Sequence, residues 1–148
     1  MKKQSMSILL CLLVSLAYST VVWGHCEVPC GIYDDKMRIA MLREHADTIE
    51  KAMKQVVEIK KEKDHNANQL VRWVMNKEKH AEEFQQIVSQ YFLTQRIKPG
   101  DEKYEQKLAA LHKLLVFAMK CKQTTELDNV TTLRGLISDF EGLYFSMK

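Results

Sequence analysis

Ile39-Ala40-Met41-Leu42-Arg43-Glu44-His45-Ala46-Asp47-Thr48-Ile49-Glu50-Lys51-Ala52-Met53-Lys54-Gln55-Val56-Val57-Glu58-Ile59 sets Ile39, Leu42, Ala46, Ile49, Met53, Val56 and Ile59 three or four residues apart. This spacing aligns them along one stripe of a long amphipathic helix, with Lys51, Lys54 and the glutamates on the solvated faces. Just upstream, Asp34 and Asp35 are suited to N-cap it, since a carboxylate accepts hydrogen bonds from the unpaired amides of a first turn.

Three further stripes follow. A polar break at 64–68 precedes Leu70, Trp73, Val74, Lys77, Ala81, Phe84, Ile87, Val88 and Tyr91. Pro99-Gly100 marks the next loop, before Tyr104, Leu108, Leu111, Leu115, Ala118 and Cys121. After the interruption at 123–128, Val130, Leu133, Leu136, Ile137, Phe140 and Leu143 form the fourth. No alternating strand pattern appears, and the connections are short. The expected fold is therefore all-α, an up-down-up-down four-helix bundle over residues 34–148. Gly135 and Gly142 weaken the last helix, and close helix packing is the expected reason for them.

The chain has 148 residues, enough for one domain with a real core. With 46% hydrophobic and 28% charged residues it reads as globular rather than disordered. Residues 1–24 read as a cleaved signal peptide: Lys2 and Lys3, an apolar run from Ile8 to Tyr18, and a small residue, Gly24, at the cut. The run is shorter than the roughly 20 apolar residues that span a bilayer, so no stable membrane anchor is expected after processing. The leader removes two lysines and no acid, leaving +1 of the formal +3. Nucleic-acid binding has no electrostatic footprint on such a chain. Export to the periplasm or outside the cell is the expected destination.

The stretch after the leader is His25-Cys26-Glu27-Val28-Pro29-Cys30-Gly31-Ile32-Tyr33. Cleavage after Gly24 turns the His25 backbone nitrogen into a free amine. That amine, the deprotonated Cys26 amide and the thiolates of Cys26 and Cys30 supply four donors for one plane, with the His25 imidazole available axially. A tetragonal N,S set suits nickel or copper rather than tetrahedral zinc or oxygen-seeking magnesium. Copper competes, because its divalent ion has the greater intrinsic affinity. Three cysteines remain after processing: Cys26, Cys30 and Cys121. In an exported protein they also allow a Cys26–Cys30 or Cys26–Cys121 disulfide.

The pattern His-Cys-x-x-Pro-Cys-Gly-x-Tyr at a processed terminus resembles the nickel hook of nickel-containing superoxide dismutases, with His25, Cys26, Pro29, Cys30, Gly31 and Tyr33 all in place. The resemblance implies a superoxide dismutase with a nickel ion held by His25, Cys26 and Cys30 in a hook over 25–33. It implies that Tyr33 orders small oxygen species, with Tyr91 the candidate second tyrosine, and that four-helix subunits assemble as a hexamer around buried hooks. Ile32, Met37, Met41, Tyr144 and Phe145 are candidate contacts for that assembly. Family members processed by a dedicated protease remain cytoplasmic, which is the alternative location. The family's acidic and arginine partners of the terminal histidine have no residue-by-residue match here; Glu44, Arg72 and His80 are candidate replacements. Two other functions are compatible with the residues: a nickel or copper carrier without turnover, and a disulfide-stapled helical interaction protein.

A di-iron bundle is disfavoured, because Glu44-His45 and Lys79-His80 lack the Glu-x-x-His spacing. His45, His65, His80 and His112 read as surface or boundary residues, and Cys121 as a buried thiol at a helix end.

Overall fold

The computed structural model describes residues 31–64 and 66–146; the leader, and hook residues 25–30, lie outside the described residues. The helices are α1 (Asp35–Lys61), α2 (Ala67–Gln86), α3 (Tyr104–Gln123) and α4 (Leu127–Phe145). α2 runs directly into a π-helical segment, Ile87–Arg96. No strand occurs among the described residues.

α1 packs on α2 and α4, and α3 packs on the same two helices, so chain neighbours are also neighbours around the bundle. Connections as short as 62–66 and 124–126 force each helix to reverse on its predecessor, giving the expected up-down-up-down order. At 27 residues, α1 is about 40 Å long and forms the spine of the bundle. No described helix is long and apolar enough to cross a membrane.

The α1 stripe is buried as the spacing predicts: Ile39, Leu42, Ala46, Ile49, Met53, Val56 and Ile59, joined by Ala52. Asp34 is the N-cap, accepting from the Met37 amide at 2.9 Å. Asp35 is not a cap; its carboxylate turns inward. Asn66 caps α2 through the Gln69 amide.

The other stripes hold with local shifts. In α2 the predicted Val74 is exposed, whereas Lys77 is buried for a polar reason. Its ammonium donates to the Cys121 carbonyl at 2.8 Å, to the Lys122 carbonyl and to Glu78 Oε1 at 2.8 Å. A cation thus satisfies the unpaired carbonyls at the C-terminus of α3. In α3 the buried face includes Leu114, while Leu115 is only partly covered. In α4 Val130, Leu133, Ile137 and Phe140 are buried as expected, but Tyr144 replaces Leu143 at the end of the stripe. Tyr144 is therefore a core residue and not a free assembly contact. Ile32 and Met37 are exposed, at 79% and 57%. Close packing does not explain Gly135 and Gly142: a Cβ on either would meet open space, and nothing else in the structure accounts for them.

The core closes beneath the N-terminus of α1 with an aromatic cluster. Phe92 meets Phe140 at 5.1 Å and Tyr144 at 5.5 Å between centroids, both edge to face. Such pairs add about 0.5–1.5 kcal/mol to the burial of their rings.

Candidate metal centre

The residues around the hook's exit are fixed by Asp35. Its Oδ1 accepts from the Tyr91 hydroxyl and from Arg96 Nε, both at 2.8 Å. Oδ2 accepts from an Arg96 terminal nitrogen at 2.9 Å and from the Tyr144 hydroxyl at 3.0 Å. The guanidinium fork and the carboxylate therefore pair through two parallel bonds, the strongest geometry available to these groups. The Asp35 side chain is only 9% exposed. Breaking so shielded a pair on one side would leave a buried charge, which costs more than the pair itself contributes.

The π-helical winding supplies this geometry. Tyr91 and Arg96 are five residues apart, a separation that would point them about 140° apart on an α-helix. The i→i+5 bonding of a π-helix stacks such residues one above the other. The Ile97 amide donates to the Phe92 carbonyl at 3.0 Å, and the Thr94 hydroxyl and Gln95 amide donate to the carbonyls of Ser89 and Gln90. Side chains thus reinforce the wider turn.

Tyr33, the last residue of the hook motif, rests on this platform. Its ring meets Tyr91 edge to face at 5.9 Å, and the Arg96 guanidinium lies 4.2 Å from its centroid. Tyr33 is 40% exposed, so it is held by its ring rather than by burial. Gly31 has φ +78°, a left-handed backbone that a side chain would disfavour, as a reversing hook requires. Arg38, one turn into α1, sits 5.0 Å from the Tyr91 centroid and has no carboxylate partner among the described residues. The two predicted tyrosines, Tyr33 and Tyr91, are therefore brought together.

Their protons differ. The Tyr91 proton is committed to Asp35, and burial followed by that hydrogen bond raises its pKa. Bonding to Asp35 likewise raises the Arg96 pKa, so the guanidinium stays charged.

The candidate supports of His25, which itself lies outside the described residues, are placed away from Tyr33 and Tyr91. Glu44 and Arg72 are exposed. His80 faces His45 instead, with their Nδ1 atoms 2.9 Å apart. Burial first, and then the nearby His80, holds the His45 pKa below its usual range. The acid and arginine that do stand behind the tyrosines are Asp35 and Arg96. Sequence reasoning took Asp35 for a cap and passed over Arg96; the five-residue spacing from Tyr91 signals nothing without the π-helix.

Among the described residues the one cysteine is Cys121. Cys121 carries a free thiol, fully buried, and burial pushes its pKa up to about 11. It stays a protonated core group and supplies no thiolate. Cys26 and Cys30, with His25, lie outside the described residues.

The described residues form a four-helix bundle with a braced tyrosine pair, Tyr33 and Tyr91, in a chain whose sequence carries the His-Cys-x-x-Pro-Cys motif. The chain belongs to the nickel-containing superoxide dismutase family, whose sequence model matches residues 20–148. No curated protein and no solved structure matches it significantly. It is an oxidoreductase that converts two superoxide anions and two protons to dioxygen and hydrogen peroxide, with nickel as cofactor.

The raised Tyr91 pKa sets a pH dependence. Unfolded tyrosine ionises near about pH 10. The fold holds the Tyr91 proton more tightly, so this contribution to stability is complete below about pH 10 and is lost as the pH climbs towards the folded value. Denaturant midpoints are expected to fall above about pH 10, and less steeply in Tyr91→Phe. Parallel pH profiles for the two proteins would contradict the assignment.

Proposed function

We propose that the processed terminus would hold the nickel of this superoxide dismutase through the amine and imidazole of His25, the Cys26 amide nitrogen and the Cys26 and Cys30 thiolates. The observation that carries this reading is the Tyr33 platform. Cys30 precedes Tyr33 by only three residues, so a short stretch of chain tethers the last proposed ligand to the braced ring. When bound, nickel supplies the one-electron couple, made accessible by anionic sulfur and nitrogen donors.

The chain's own residues do the rest. Arg38 places positive charge at the tyrosine pair and favours approach of the superoxide anion, whereas the Arg96 charge is balanced by Asp35. The Tyr33 hydroxyl orders the small oxygen species by hydrogen bonding. Tyr91, its own proton held by Asp35, fixes the Tyr33 ring and offers only lone pairs to a ligand. Asp35 is a positioning residue for both Tyr91 and Arg96.

The reading extends to processing and assembly. Cleavage after Gly24 releases the amine and accompanies export, with a dedicated cytoplasmic protease as the other route. A short hook cannot shield its thiolates from hydrogen peroxide alone, and neighbouring subunits of a hexamer would cover it. The exposed Ile32 and Met37 beside the hook support such contacts.

Five substitutions test the site. Cys26→Ser and Cys30→Ser replace a soft anionic donor by a hard, far less acidic one, and activity is expected to be abolished. His25→Ala is expected to keep nickel but turn over slowly, Tyr33→Phe to lose less, and Cys121→Ser to affect packing alone. Nickel content and superoxide decay read the series; full activity in Cys26→Ser with nickel lost in Cys121→Ser would place the site elsewhere. Sedimentation checks assembly: active enzyme is expected to be oligomeric, and a fully active monomer would refute the shielding argument.

A further inference from the structure

About 15 Å along α1 from Asp35, a second group of ligand-type side chains closes the seam between α1 and α2. His45 lies on α1, and His80 and Glu83 are one turn apart on α2. The Nδ1 atoms of the two histidines are 2.9 Å apart, and Glu83 Oε2 lies 3.7 Å from each of them. Among the described residues this is the one place where three such groups converge.

A plain hydrogen bond accounts for only part of this arrangement. One imidazole N–H pointing at the other ring's lone pair explains the 2.9 Å contact. It leaves the carboxylate unexplained, because 3.7 Å is too long for a hydrogen bond to either ring. The three atoms form a triangle of sides 2.9, 3.7 and 3.7 Å, and the point equidistant from its corners lies about 2.0 Å from each. That radius is the bond length of zinc to imidazole nitrogen and carboxylate oxygen, about 2.0–2.2 Å. One ion at that point engages all three donors.

The surroundings suit such an ion. Lys79 is 3.7 Å from the other carboxylate oxygen, Oε1, leaving Oε2 turned to the imidazoles. The side chains are 12%, 23% and 38% exposed for His45, His80 and Glu83, so the site is rooted in the bundle and opens to solvent on the Glu83 side. Solvent can enter there and complete the coordination.

We infer that His45, His80 and Glu83 form a second metal site, separate from the hook, which takes a divalent ion of the zinc class with water in the remaining positions. Two imidazoles and a carboxylate without sulfur favour this class over the thiolate-supported redox ion of the terminus. The ion ties α1 to α2, so the folded state gains stability from it by mass action.

The test adds Zn2+ to the nickel-loaded enzyme and measures zinc content, thermal midpoint and nickel content together. The expected result is one further metal per chain and a higher midpoint, with nickel unchanged. His45→Gln and His80→Gln should weaken zinc binding by at least the roughly 10–100-fold that loss of an outer-shell partner costs a metal site. Independently of the hook and of any variant's folding, Zn2+ should protect His45 and His80 of the wild-type chain from carbethoxylation by diethyl pyrocarbonate, mapped by mass spectrometry. Absence of that protection overturns the inference, as does stoichiometric zinc retained by a folded His45→Gln/His80→Gln protein. If the terminus proves not to carry nickel, the protection experiment still decides the second site.

Discussion

The carboxylate of Asp35 is the point on which the packing around Tyr33 and Tyr91 depends. It sits in the first turn of the longest helix, yet it bonds Tyr91 and Arg96 of the π-helical segment and Tyr144 at the end of α4. Three parts of the chain that are remote in sequence are thereby held at one place. Tyr33 is then positioned without a hydrogen bond among the described residues, by an edge contact to one Asp35 partner and a cation–π contact to another. Substitution of Asp35 would release the platform and strand the Arg96 charge in a partly shielded site.

Most of the fold is legible in the spacing of apolar residues, because a helix in a bundle must bury one stripe. The seven α1 positions read from the sequence are the seven that the structure buries, with Ala52 added. Where the reading slips, a polar or geometric constraint overrides the period. Lys77 is drawn inside by the open carbonyls of α3, and the π-helix shifts the register after Gln86 so that Tyr91 and Arg96 share a side. Winding of that kind leaves no simple periodic mark, which is why Arg96 and the inward turn of Asp35 escaped sequence reasoning.

The site divides along the same line. The hook is a local motif, and its residues declare their chemistry in order along the chain. The bracing of Tyr33 and Tyr91 is tertiary: Glu44 and Arg72 have the right charges and lie on the surface, whereas Asp35 and Arg96 meet from 61 positions apart. His45 and His80 illustrate the limit again. Each reads as an ordinary boundary histidine, and the reversed order His80-x-x-Glu83 hides the ligand pair from a search for Glu-x-x-His. Only the α1–α2 seam brings them together.

The central claim is that the metal ligand at the terminus is an amine, which exists only when His25 is the first residue. The most direct measurement compares nickel content and superoxide decay for the chain beginning at His25 with the same chain retaining Gly24. The account predicts nickel and rapid turnover in the first, with weak nickel binding and no activity in the second. Full activity in the chain that keeps Gly24 would contradict it.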